Sequence, residues 1–140
     1  MATFNSNLIA TNSPGKQGVY PLVNVGTVVI PGSTTLAAND TMPLCNLAVG
    51  TYVKDLQIDF PVLNAAALVV VQDNQGTPLV YIPSNNTAQA GGNVTGQQFA
   101  HGVLGTVYQT NQQLLIRVAT GGAVGASPVT IYFVVEVASA

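Results

Sequence analysis

Residues Thr51–Phe60 read TYVKDLQIDF, and hydrophobic and polar positions alternate along them. Tyr52, Leu56, Ile58 and Phe60 share one parity, while Asp55, Gln57 and Asp59 share the other. Successive side chains of a strand point to opposite faces, so this pattern predicts a half-buried strand that Pro61 ends. Val129–Val137 repeats the pattern, with Val129, Ile131, Phe133, Val135 and Val137 alternating with Thr130, Tyr132 and Glu136. In Gln112–Ala119 the inward set is Leu114, Ile116 and Val118. Leu22–Ile30 (LVNVGTVVI) is rich in β-branched residues and stops at Pro31-Gly32. Leu68–Val71 is continuously apolar, as expected of a strand buried on both faces.

Shorter runs at Thr34–Leu36, Thr41–Leu44, Leu79–Ile82 and Val103–Tyr108 complete the set. Turns are marked by Ala38-Asn39-Asp40, Ala48-Val49-Gly50, Asp73-Asn74-Gln75-Gly76 and Gly121-Gly122 with Pro128. No window carries helical periodicity with caps, and no repeat of 20–50 residues is present. The expected fold is all-β: an antiparallel sandwich or jelly roll of about eight strands over residues 22–140. Residues 1–21 are polar, broken by Pro14, Gly15, Gly18 and Pro21, and read as an extended N-terminal arm. The segment Pro83–Gly102, rich in Asn, Gln, Ala and Gly, reads as a long loop.

A chain of 140 residues fits one domain able to bury a core without staples. Composition changes the picture in one respect. Charged residues make up only 6% of the chain, against about 25% in an ordinary soluble domain. Asn, Gln, Thr and Ser supply the polar surface instead, so little repulsion opposes close approach of a neighbour. Interface cores are depleted in charge in the same way, which points to assembly with other proteins.

Candidate chemistry is sparse. Lys16, Lys54 and Arg117 are scattered and cannot neutralise a run of phosphates, so no direct nucleic-acid binding is expected. His101 is the lone histidine and has no nucleophile motif around it, so no catalytic residue is assigned and no enzyme is expected. One His and one Cys cannot build a zinc site. Asp55 and Asp59 are roughly 13 Å apart along a strand, too far to share one ion, so no metal and no cofactor is expected. Cys45 reads as a small buried hydrophobe. The N-terminus lacks a secretory leader and no apolar run reaches membrane-spanning length, so a protein made in the cytoplasm and acting without a membrane is expected.

A strand and the Asn39-Asp40-Thr41 turn lead into Leu44–Leu47, and Val49-Gly50-Thr51-Tyr52-Val53 opens the long alternating strand. Leu79–Ile82 is followed by Thr87-Ala88-Gln89-Ala90-Gly91-Gly92. A Tyr108 strand, Leu114–Val118, a Gly/Ala turn and Val129–Val137 close the chain. This order of features resembles small structural proteins of tailed bacteriophages, among them capsid decoration (cement) proteins. The resemblance implies a homotrimer on the outer surface of the capsid, clamping adjacent major capsid subunits and stabilising the head, with the arm laid over its neighbours. Phe4, Leu8, Ile9 and Tyr20 are the candidate capsid contacts. Two other readings stand beside it. A head fibre or receptor-binding module is disfavoured by the absence of Trp and by 6% aromatic content. A self-polymerising shell or pilus-like subunit would assemble without a partner.

Overall fold

The computed structural model describes residues 1–10, 22–99 and 103–140. Among the described residues, ten strands run in the order β1 (Leu22–Ile30), β2 (Thr35–Leu36), β3 (Thr41–Leu47), β4 (Thr51–Phe60), β5 (Leu68–Asp73), β6 (Val80–Asn85), β7 (Gly92–Thr95), β8 (Gln112–Thr120), β9 (Gly122–Ala123) and β10 (Val129–Ser139). Single helical turns lie at α1 (Asn7–Ala10), α2 (Thr87–Ala90) and α3 (Gly96–Phe99).

Two four-stranded sheets form, ordered β1-β10-β4-β7 and β3-β8-β5-β6, with β2-β9 as a two-stranded clip. The antiparallel pairs β1–β10, β3–β8, β4–β7 and β5–β6 are the rungs of one long hairpin whose tip is β5–β6. Rolling that hairpin joins β10 to β4 and β8 to β5, which gives the jelly roll. The alternation supplies the core. Val28, Ile30, Leu56, Ile58, Ile131 and Phe133 face Met42, Leu44, Val69, Val71, Leu114 and Ile116 between the sheets, all at most 2% exposed. Gly26 is required in β1 because a Cβ there would stand 2.6 Å from the Phe133 ring.

Four local features depart from the sequence reading. Asp55 pairs with Glu136 and Val53 with Val137, so Lys54 is an extra residue and a β-bulge. Beyond it the parity of β4 inverts, and Thr51 and Val53 point inward in place of Tyr52. Val103–Tyr108 is not a strand, because Gly105 turns the chain at φ 88° and Tyr108 returns to exchange backbone hydrogen bonds with Gly50 and Thr51. The expected loop from Pro83 contains β7, whose Val94 is buried against β4. Finally, residues 1–10 are not wholly extended: Ser6 starts the helical turn α1, its Oγ accepting the Ile9 N–H at 3.2 Å.

Candidate interaction surface

Strand parity divides each sheet into an inner and an outer face, and the outer face of β1-β10-β4-β7 carries an unusual set of side chains. On β1 the outward residues include Val23, Val25 and Val29, exposed by 52%, 64% and 53%. In register beside them on β10 stand Glu136 opposite Val23, Val134 opposite Val25, and Tyr132 opposite Thr27. Tyr132 is 58% exposed. On β4 the row continues with Asp55 opposite Glu136, Gln57 opposite Val134, and Asp59 opposite Tyr132. An aliphatic ridge along β1 therefore grades into a carboxylate band along β10 and β4. Between them lies a shallow depression of about 320 Å³ lined by Val25, Thr27, Gln57, Asp59, Tyr132 and Val134, among others.

The face carries three carboxylates and, among the described residues, one cation, Lys54, exposed at the bulge beside Asp55. Asp59 Oδ1 accepts from Asn93 Nδ2 at 2.7 Å, and Asp55 Oδ1 accepts the Leu56 N–H at 2.9 Å. Among the described residues, no cation pairs with Asp55, Asp59 or Glu136. Like charges directly opposite on neighbouring strands are destabilising, as Asp55 and Glu136 are here.

The other two carboxylates of the chain serve the fold. Asp40 Oδ1 accepts the Ala2 N–H at 2.8 Å and Oδ2 the Ala37 N–H at 2.9 Å, and these bonds hold its pKa below the ordinary 3.8. Residues 2–6 continue from there along the edge of β3. Thr41 N–H donates to Ala2 O, Phe4 N–H to Thr41 O and Ser6 N–H to Pro43 O, at 2.8–3.0 Å, with Thr3 and Thr41 forming a parallel bridge. Pro43 has no N–H to extend this ladder, which suits its place on an edge strand. Ser6 is fully buried and its Oγ donates to Leu44 O at 2.6 Å.

Asp73, also fully buried, closes the turn into β6. Its Oδ1 accepts the Gln75 and Leu79 N–H groups, and its Oδ2 accepts Gln75 Nε2 and the Tyr108 hydroxyl at 2.8 Å. Since Tyr108 spends its one proton on Asp73, the Tyr81 hydroxyl donates to Tyr108 across 2.6 Å. Burial pushes the Tyr81 hydroxyl up to about 12 and raises Tyr108 as well, so both remain donors. This is a satisfied polar staple inside the core, not a reactive site. Burial likewise pushes the Cys45 thiol up to about 12, leaving it unreactive. Among the described residues, no three His, Cys, Asp or Glu side chains gather as metal ligands, and no helix is long and apolar enough to cross a membrane.

Of the residues singled out as capsid contacts, Phe4 and Leu8 are half-buried against the chain's own core, and Ile9 is half-buried on α1. Tyr20 and His101 lie outside the described residues. Residues 1–6 therefore hydrogen-bond to their own domain, a course that main-chain bonding dictates and side-chain pattern does not reveal. The outward valines of β1 went unremarked in the sequence, although a strand with apolar residues at both parities signals a second face that favours cover.

No family model and no curated protein matches this chain. Among solved structures, a chain in "Capsid of Ralstonia phage GP4" superposes with a TM-score of 0.73 at 18% identity, covering 99% of this chain and 99% of that one. A chain in "Cyanophage Pam1 capsid asymmetric unit" gives a TM-score of 0.59 at 21% identity, with 84% of each chain covered. The jelly roll described above is thus a fold shared with chains of two phage capsid structures, over nearly the whole chain in the first and over 84% of it in the second.

Proposed function

We propose that this chain is a virion structural protein of a tailed phage, one that decorates the outer surface of the capsid as a homotrimer and stabilises it by clamping adjacent major capsid subunits. The observation that carries the reading is the end-to-end fold likeness to a chain of a phage capsid structure, in a protein with only 6% charged residues. A ligand that binds only the assembled shell stabilises it by mass action, by about 2.7 kcal/mol at a hundredfold excess over Kd. Repetition over a symmetric lattice adds avidity. In this reading the exposed parts of Phe4, Leu8 and Ile9, together with Tyr20, touch the neighbouring capsid subunits.

Heads stripped of the protein test the reading. They are expected to lose resistance to heat and to low salt, and to regain it when the purified chain is added back. Stripped heads as resistant as complete ones would overturn it.

A further inference from the structure

We infer that the outer face of β1-β10-β4-β7 is the seat on which the protein docks, and that its occupant is a basic protein surface carrying aliphatic groups, supplied by a different chain. The inference rests on the capsid reading and names which face does the work and what it recognises.

Three observations converge. First, the chain has five carboxylates; Asp40 and Asp73 are consumed internally, and all three that remain, Asp55, Asp59 and Glu136, lie on this one face. Second, Asp55 and Glu136 stand opposite each other on adjacent strands, and Lys54, the one cation on this face among the described residues, makes no ion pair with either. That arrangement costs folding stability, and a partner's Lys or Arg would relieve it. Third, the band borders Val23, Val25 and Val29, a β-branched ridge more than half exposed on an edge strand. Exposed apolar ground rimmed by charge is the anatomy of an interface.

Charge selects the occupant. Two copies meeting through this face would set three carboxylates and one lysine, Lys54, against the same set, so a net negative face would meet itself. Arg117 lies on the opposite sheet, bonded to Gln72 and Asn39. A second copy is therefore the wrong chemistry, and a basic partner is the right one.

The test uses the full chain and heads of its source phage from which the protein has been removed. Asp55→Asn with Glu136→Gln is expected to melt at a higher temperature than the parent, yet to bind heads about tenfold more weakly, which corresponds to one lost charge contact. Parent binding should weaken between 0.1 M and 1 M salt, as the screening length falls from about 10 Å to 3 Å, and the double variant should lose most of that salt dependence. Val25→Ser should weaken binding equally at both salt concentrations. Unchanged affinity and salt dependence in the variants, with normal binding by the parent, would overturn the docking face and leave the capsid reading intact. A parent that does not bind heads at all would defeat both. A dimer of the purified chain that Val25→Ser dissolves would assign the face to a second copy and overturn the proposal, and loss of head binding on chelation would assign the carboxylates to a metal with the same result.

Discussion

Asp40 and Asp73 on one side, and Asp55, Asp59 and Glu136 on the other, put the same chemistry to opposite uses. Every oxygen of the first pair is occupied. Asp73 gathers two backbone N–H groups, an amide and a phenol, and Asp40 ties residue 2 to the 37–40 turn. The outer trio has two donors between its three carboxylates, and no cation forms an ion pair with it among the described residues. A buried carboxylate is tolerated only when satisfied, so the first group is bound to the fold. A solvated one can wait for a partner. In a chain this poor in charge, that division separates what holds the molecule together from what it presents.

Mutating each group should move different quantities. Asp73→Ala leaves the Tyr108 hydroxyl and two turn N–H groups without an acceptor, and is expected to cost about 3 kcal/mol of unfolding free energy in denaturant titrations. Asp40→Ala should cost about 1–2 kcal/mol, with faster hydrogen exchange confined to residues 2–6 and the 37–41 turn. Because folding lowers the Asp40 pKa, its contribution is complete above the unfolded value of 3.8 and fades as pH falls through the lower folded value. Acidification below about pH 4 should therefore release residues 2–6, as exchange rates will report, and Asp40→Asn should remove that acid step. Ser6→Ala should cost about 1 kcal/mol by removing the cap of α1 and a bond to Leu44. Smallest and opposite in sign, Glu136→Gln should stabilise the isolated chain by about 0.5 kcal/mol, since it removes a like-charge opposition. A destabilised Glu136→Gln would mean that the outer carboxylates also serve the fold, and the contrast would collapse.

The fold was largely legible because alternation writes burial directly into Thr51–Phe60, Gln112–Ala119 and Val129–Val137. What escaped was non-local or carried by the backbone. The bulge at Lys54 inverts a parity that residue types leave unmarked, so Tyr52 pointed the wrong way on paper. β7 has one inward side chain, Val94, in an Asn/Gly-rich stretch, too few for a period to emerge. Tyr81 and Tyr108 lie 27 residues apart, and only the rolled hairpin brings their hydroxyls together. Residues 2–6 bond through main-chain atoms; Ser6 ahead of α1 was the one side-chain cue. The docking face needed the pairing register, since Asp55 and Glu136 are neighbours only across β4 and β10.

A reconstruction by electron cryomicroscopy of the phage particle proposed to carry this chain tests the central claim most directly. The account predicts this jelly roll on the outside of the shell, with Val25, Asp55 and Glu136 against a capsid subunit and a Lys or Arg of that subunit within reach of the carboxylates. A particle that lacks the chain, or that carries it with this face turned to solvent, would contradict the account.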